Sequence, residues 1–214
     1  MALSKLIGPG SFCFDVGGAY GRYAFPLSRM VGALGRVYSF EPGSYSQKVF
    51  LSVKVLFGLK NVFLIKKAVS DRPGVVELCS PPKKSGKLGA SLAHIHSVRK
   101  ADSFCETVDV LTLDDFVRSE NPPRLDLIKC DTEGSELLVL QGARKTIERF
   151  KPVILTEIDI SNLERYGQKP SDILDFFRGL NYRLMIWQDG VFIPVAKADI
   201  NGNYFFIPEH IVNI

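Results

Sequence analysis

Short apolar runs recur along the chain, each closed by a turn rich in Gly, Pro, Asp or Asn, and most lead into a stretch with helical spacing of apolar residues. The first run, Phe12–Phe14, leads into Asp15, then Gly17, Gly18 and Gly21, and predicts a buried strand, a tight turn and a helix start. A helix follows over Tyr23–Val31, carrying Phe25, Leu27, Met30 and Val31, with Pro26 in its first turns and Gly32 and Gly35 ending it. Arg36–Glu41 reads as a second strand, closed by Pro42 and Gly43. Ser44 is placed to cap a helix running to about Phe57, stopped by Gly58. Asn61–Val69 predicts a third strand and Ser70–Gly74 a turn.

The pattern then changes. Val75–Cys79 and Glu106–Val110 are both strand-like and suited to pairing, whereas Ser80–Ser103 is rich in Pro, Gly, Ser and Lys and shows no period. Thr112–Arg118 starts a helix, with Thr112 as cap and Asp115 three residues on. Leu125–Asp131 is a fourth main strand, Ser135–Phe150 an amphipathic helix and Val153–Ile158 a fifth strand. A helix over Ser171–Leu180, capped by Ser171, precedes strands at Tyr182–Trp187 and Asn203–Ile207, with a turn near Asp189-Gly190. Strands alternating with helices predict an α/β fold with a parallel sheet wound on both faces. The last two strands have no helix between them, so the final one is expected to be antiparallel. One domain over residues 1–214 is expected, with an inserted hairpin or loop at about 72–110.

Composition narrows the class without choosing a function. The chain is 46% hydrophobic and 23% charged, with 27 basic and 23 acidic residues and a net charge of +4. That balance is globular and too mildly basic to argue for nucleic acid. No apolar run approaches a membrane span and the first ten residues do not form a secretory signal, so a soluble, cytoplasmic protein is expected. The four cysteines, Cys13, Cys79, Cys105 and Cys130, form no Cys-x-x-Cys, so no metal is expected. Cys13 and Cys130 fall in apolar runs as small core residues, a usage that fits a reducing compartment.

Candidate chemistry gathers at strand ends. The glycines of the first turn do not form Gly-x-Gly-x-x-Gly: counting from Gly17, the third position is Ala19, and from Gly18 it is Tyr20. Asp15 would also repel a pyrophosphate. An acid before spaced glycines suits a ligand with cationic groups, such as S-adenosylmethionine. An ordinary tight turn would produce the same residues, so the acids downstream decide the matter. Glu41 follows the second strand, 24 residues after Gly17, where a ribose is held through its hydroxyls. Asp131 ends the fourth strand and Glu157 nearly the fifth. In open α/β sheets the strand C-termini form the ligand rim. In Asp131-Thr132-Glu133-Gly134-Ser135-Glu136, helix capping accounts for Glu136 and also suits Glu133, but not Asp131.

These residues resemble the FkbM-type S-adenosylmethionine-dependent methyltransferases. The matching segments are Phe-Asp-Val-Gly-Gly-Ala-Tyr-Gly (14–21), Phe-Glu-Pro (40–42), Lys-Ala-Val-Ser-Asp (67–71), Thr-Leu-Asp-Asp-Phe (112–116), Asp-Leu-Ile-Lys-Cys-Asp-Thr-Glu-Gly-Ser-Glu (126–136) and Lys-Pro-Val-Ile-Leu-Thr-Glu-Ile (151–158). The resemblance implies a seven-stranded Rossmann-like class I methyltransferase sheet. It also implies roles: the loop Asp15, Gly17, Gly18, Ala19, Tyr20 and Gly21 around the methionine part, Glu41 beside Pro42 on the ribose, Ala68 and Val69 against the adenine, and Asp131 near the amino or methyl end. The family commonly carries Asn where this chain has Ala19, so a side-chain amide is missing there.

Methyl transfer to a hydroxyl requires a general base. The candidates are Asp131, Glu133 and Glu157, ahead of His94 and His96 in the long loop. Asp131-Thr132-Glu133-Gly134 is not the Asn/Asp-Pro-Pro-aromatic pattern of enzymes that methylate exocyclic base amines, which favours oxygen as acceptor. The resemblance implies a small-molecule or sugar hydroxyl. An RNA-modifying methyltransferase and a non-catalytic cofactor-binding module are the alternatives.

Overall fold

The computed structural model describes residues 2–80, the backbone of 94 and 95, and 104–211. After a 3-10 turn at Ala2–Lys5, the chain alternates β1 (Phe12–Val16), α1 (Ala24–Val31), β2 (Arg36–Phe40), α2 (Ser44–Leu56) and β3 (Val62–Ile65). Short β4 (Ala68–Val69), β5 (Gly74–Ser80), β6 (His94–Ile95) and β7 (Phe104–Leu111) follow. Then come α3 (Leu113–Glu120), β8 (Leu127–Cys130), α4 (Glu136–Gln141), α5 (Arg144–Phe150) and β9 (Val153–Ile158). The chain closes with α6 (Ile160–Glu164), α7 (Pro170–Phe177), β10 (Tyr182–Gln188), β11 (Val191–Pro194) and β12 (Gly202–Pro208).

The main sheet has eight strands in the order β11-β10-β12-β9-β8-β1-β2-β3. Strands β9, β8, β1, β2 and β3 run parallel, and β12 pairs antiparallel with both β9 and β10. The order reverses beside β1, which puts the crevice at the strand C-termini over β1 and β8. The added strand is β11: the Asp189-Gly190 turn joins β10 to β11 rather than to the last strand.

Alternation along each strand sends one set of side chains to each face. Phe14, Phe40, Ile128, Ile154 and Phe206 pack under α3 to α7, with edge-to-face contacts among Phe14, Tyr38, Phe40 and Phe116. Cys13, Val37, Leu127, Leu155 and Phe205 face the other way, towards α1, Phe50 of α2 and the N-terminal turn.

Several boundaries differ from the sequence pattern for identifiable reasons. The run Asn61–Val69 splits, because Ala68 and Val69 leave the main sheet and pair with Val110 and Leu111 of β7. The helix expected over Ser135–Phe150 breaks at Gly142 and Ala143. There a side chain on Gly142 would lie 2.0 Å from the Ser70 carbonyl oxygen, and Asp114 receives the Thr146 N–H at 2.8 Å, capping α5. Ser44 does not cap α2: Gly43 holds that position and the Ser44 N–H bonds Glu106 Oε1 at 2.9 Å. Ser171 does not cap α7 either, which begins at Pro170 with the Lys169 N–H held by Asp172. Thr112 does cap α3, accepting the Asp115 N–H at 3.0 Å.

A second, four-stranded sheet, β4-β7-β5-β6, stands beside the crevice. Cys79 of β5 and Cys105 of β7 are directly opposite and joined in a disulfide. The sequence pattern gave no sign of this pair. Cys13 and Cys130 are free and buried. Among the described residues no helix is long and apolar enough to cross a membrane.

Candidate active site

Strand register builds the first part of the site. Asp15 lies between Ser39 of β2 and Lys129 of β8 in one row across the sheet. Ser39 Oγ donates to Asp15 Oδ2 at 2.9 Å, and Lys129 Nζ stands 3.5 Å from Asp15 Oδ1. Asp15 and Ser39 are wholly buried and Lys129 is 3% exposed. The ammonium also reaches Asp131 Oδ2 at 3.4 Å, donates to the Gly17 carbonyl at 3.0 Å and lies 4.8 Å over the Tyr23 ring. An isolated ion at this depth would be prohibitively desolvated, so the lysine and its two carboxylates must be understood together.

The glycine turn follows. Gly17 has φ +78, and a Cβ there would meet the Asp131 carbonyl oxygen at 1.8 Å, so the β1 turn and the end of β8 touch backbone to backbone. Gly18 packs against Ser39 Oγ, again with no room for a Cβ. Ala19 has φ 44, the left-handed region that Asn tolerates better than Ala, so the amide missing here is also a residue better suited to this backbone. The Ala19 N–H is held by Glu41 Oε2 at 2.8 Å, while Glu41 Oε1 takes the Gly43 N–H at the same distance. Burial pushes the Glu41 carboxyl up to about 7, against the lowering effect of those two N–H groups.

A cleft opens over these residues. Gly17, Ala19, Glu41, Pro42, Ala68, Val69, Asp131 and Glu133 line it, joined by Val16, Phe40, Lys67, Leu78, Thr132 and Ser135. Asp15 and Gly18 lie beneath it rather than in its wall. Tyr20 turns its ring towards Tyr45, and Gly21 packs near Phe50. His94 is described only as backbone in β6, and His96 lies outside the described residues.

On the far side of the cleft the turn Asp131–Ser135 is tied by Glu136, whose Oε1 accepts the Thr132 N–H, the Gly134 N–H and the Thr132 hydroxyl. Glu133 takes φ 57 and receives Asn162 Nδ2 at 3.0 Å. Burial, with Asp131 close by, pushes Glu133 up to about 7. Glu157 is also pushed up to about 7, by burial and then by the neighbouring charge of Asp131. Asp131 therefore stands near both Glu133 and Glu157, and its charge resists their ionisation.

Sequence reasoning gave no site role to Ser39 and Lys129, nor to the cleft residues Val16, Phe40, Lys67, Leu78, Thr132 and Ser135. Lys129 stands as a lone cation inside the apolar run Leu-Ile-Lys-Cys.

The donor set suits a nucleoside with cationic groups. It offers a carboxylate at the end of β2, apolar surface from Phe40, Ala68, Val69 and Leu78, and acids with a backbone carbonyl at the end of β8. The parallel sheet, the reversal beside β1 and the antiparallel β12 define a class I, Rossmann-like methyltransferase fold. The chain belongs to the methyltransferase FkbM domain family, whose model matches residues 15–184. Similar solved structures include a methyltransferase FkbM from Methylobacillus flagellatus KT, 16% identical with a TM-score of 0.59; the match covers 92% of this chain and 44% of that one. Others are an rRNA-methylase candidate from Clostridium thermocellum (12%, TM-score 0.56, covering 97% and 93% of the two chains) and a candidate methyltransferase from Streptococcus mutans in complex with S-adenosylhomocysteine (SAH; 12%, 0.54, 95% and 90%). No curated protein matches the chain in sequence.

Proposed function

We infer that this chain is an S-adenosylmethionine-dependent methyltransferase acting on a hydroxyl of a small molecule or sugar. The observation that carries the reading is the acid-rimmed cleft at the C-terminal edge of the parallel strands, with Glu41 at the end of β2 and Asp131 and Glu133 beyond the end of β8. Glu41 would hold the ribose hydroxyls, with its second oxygen already fixing the Ala19 amide. Ala68, Val69, Phe40 and Leu78 would enclose the adenine, and Gly17, Asp131 and Lys129 would set the methionine end. The cofactor, when bound, supplies a methyl group on a cationic sulfur.

The chain's own contribution is positioning and proton transfer. The acceptor hydroxyl gives its proton to Glu157, whose carboxylate form is populated above about pH 7. Glu133, held by Asn162, stands ready to hydrogen-bond the same hydroxyl. Lys129 balances Asp15 and Asp131, so the acids keep their positions without mutual repulsion.

The test is transfer of labelled methyl from S-adenosylmethionine to a panel of hydroxyl compounds, sugars and RNA. Labelled small hydroxyl products support the reading. Label appearing only in RNA favours the RNA-modifying alternative, and cofactor binding without turnover on any acceptor favours the non-catalytic one.

A further inference from the structure

On the face of the sheet that carries Lys129, α1 lies over β1 and β2, and Leu155, Phe205 and Met185 pack with the N-terminal turn, Phe192 of β11 and Ile211. What remains is a groove of about 450 Å³, lined by Leu155, Phe205, Trp187, Tyr23 and Pro26, with Arg22 and Asn203 at its mouth. Its size lies within the usual range for small-molecule sites.

Two connections join this groove to Glu157 and Lys129. The first follows register and alternation. Lys129, Leu155, Phe205 and Met185 form one row across four strands. Glu157 is two residues beyond Leu155 and pairs with Asn203, which is two residues before Phe205. Glu157, Asn203 and Trp187 therefore belong to the groove's face, one step nearer the rim. The second connection is Tyr23, which lines the groove on one side and lies against the Lys129 ammonium on the other. The groove thus begins where the proposed proton acceptor stands.

Resting on the methyltransferase reading, we propose that this groove is the acceptor site and that it takes a flat, apolar ring bearing the hydroxyl to be methylated. The walls are aromatic and aliphatic, which suits ring stacking and burial of apolar surface. The polar groups stand at the mouth, where Asn203 and the exposed Arg22 meet a ring substituent, an anionic one included. A sugar would bring several hydroxyls against Leu155, Phe205 and Pro26, where few polar groups can answer them, and unpaired polar groups are costly to bury. The hydroxyl to be methylated points instead towards Glu157.

Trp187 is the single tryptophan of the chain, so its emission reports on the groove directly. The experiment titrates catechol, 4-hydroxybenzoate and methyl glucoside into SAH-saturated protein, following Trp187 fluorescence. The phenols are expected to change emission saturably and at lower concentration than the glucoside. Asn203→Arg, an exposed position outside the cofactor cleft, is expected to raise their half-saturation on the order of tenfold by filling the mouth, with SAH affinity unchanged by calorimetry. Flat emission with every phenol in protein that binds SAH overturns the proposal. So does stronger binding of the glucoside, or a half-saturation indifferent to Asn203→Arg. A parent protein that fails to bind SAH overturns the methyltransferase reading beneath it, which is a different result.

Discussion

Replacing Gly17 by alanine tests whether the β1 turn and the end of β8 form one rigid unit. Three glycines with similar backbone separate the contributions: Gly10 has φ +84 with nothing within 4 Å of a built Cβ, and Gly21 has φ +86 with its nearest neighbours, on Phe50 and Val53, at 3.5 Å or more. Gly17 has φ +78 and would place its Cβ 1.8 Å from the Asp131 carbonyl oxygen and 2.9 Å from the carbonyl carbon. Alanine at Gly10 or Gly21 should therefore cost only the left-handed strain, about 1–2 kcal/mol. At Gly17 the clash is with backbone inside a sheet, where overpacking adds about 1–3 kcal/mol. The total, about 2–5 kcal/mol, corresponds to a drop of roughly 1–2 M in the urea midpoint for Gly17→Ala. Urea unfolding of the three variants measures this, and SAH calorimetry on the folded fraction should show binding weakened in Gly17→Ala alone. A Gly17→Ala protein no less stable than Gly10→Ala, with SAH affinity intact, would refute the claim that the two strand ends are in backbone contact.

Lys129→Met should destabilise the fold by about 3–5 kcal/mol, because it leaves Asp15 and Asp131 without their buried cation; thermal unfolding of this variant beside Asp15→Asn/Lys129→Met, which removes one of the stranded charges, should show partial recovery. Thiol titration in denaturant should find two reactive cysteines before reduction and four after it, since Cys79 and Cys105 are joined across 26 residues; reduction should lower stability by about 3.5 kcal/mol. Methyl transfer should speed up as pH rises through about 7, because Glu157 must lose its proton to act as base, and Glu157→Gln should flatten that limb. Stability has the opposite sign. Glu41, Glu133 and Glu157 are raised from 4.5 to about 7, so the folded chain holds more protons than the unfolded one between those values and the urea midpoint should fall as pH rises across that window.

The parts of the fold visible in the sequence were those written in local pattern. Apolar runs closed by glycine or an acid marked β1, β2, β8 and β9, and their acids fall on one rim because parallel strands share a C-terminal edge. What local pattern cannot carry is long-range pairing. Cys79 and Cys105 show no spacing signal; they meet because β5 and β7 pair in that register. Ala68 and Val69 looked like the end of a strand but are claimed by β7. The break at Gly142 depends on the approach of Ser70, and the pairing of Ser39 with Asp15 on the alignment of β1 with β2. Lys129 carries no local signal of its role, which appears only when register sets it beside Asp15.

Calorimetric titration of S-adenosylmethionine and of NADH into the parent protein and Glu41→Ala tests the central claim most directly, because Glu41 both fixes the Ala19 amide and fronts the cleft. The account predicts saturable binding of S-adenosylmethionine, weakened by at least roughly tenfold in Glu41→Ala, and no heat from NADH. Binding of NADH with no binding of S-adenosylmethionine would contradict it.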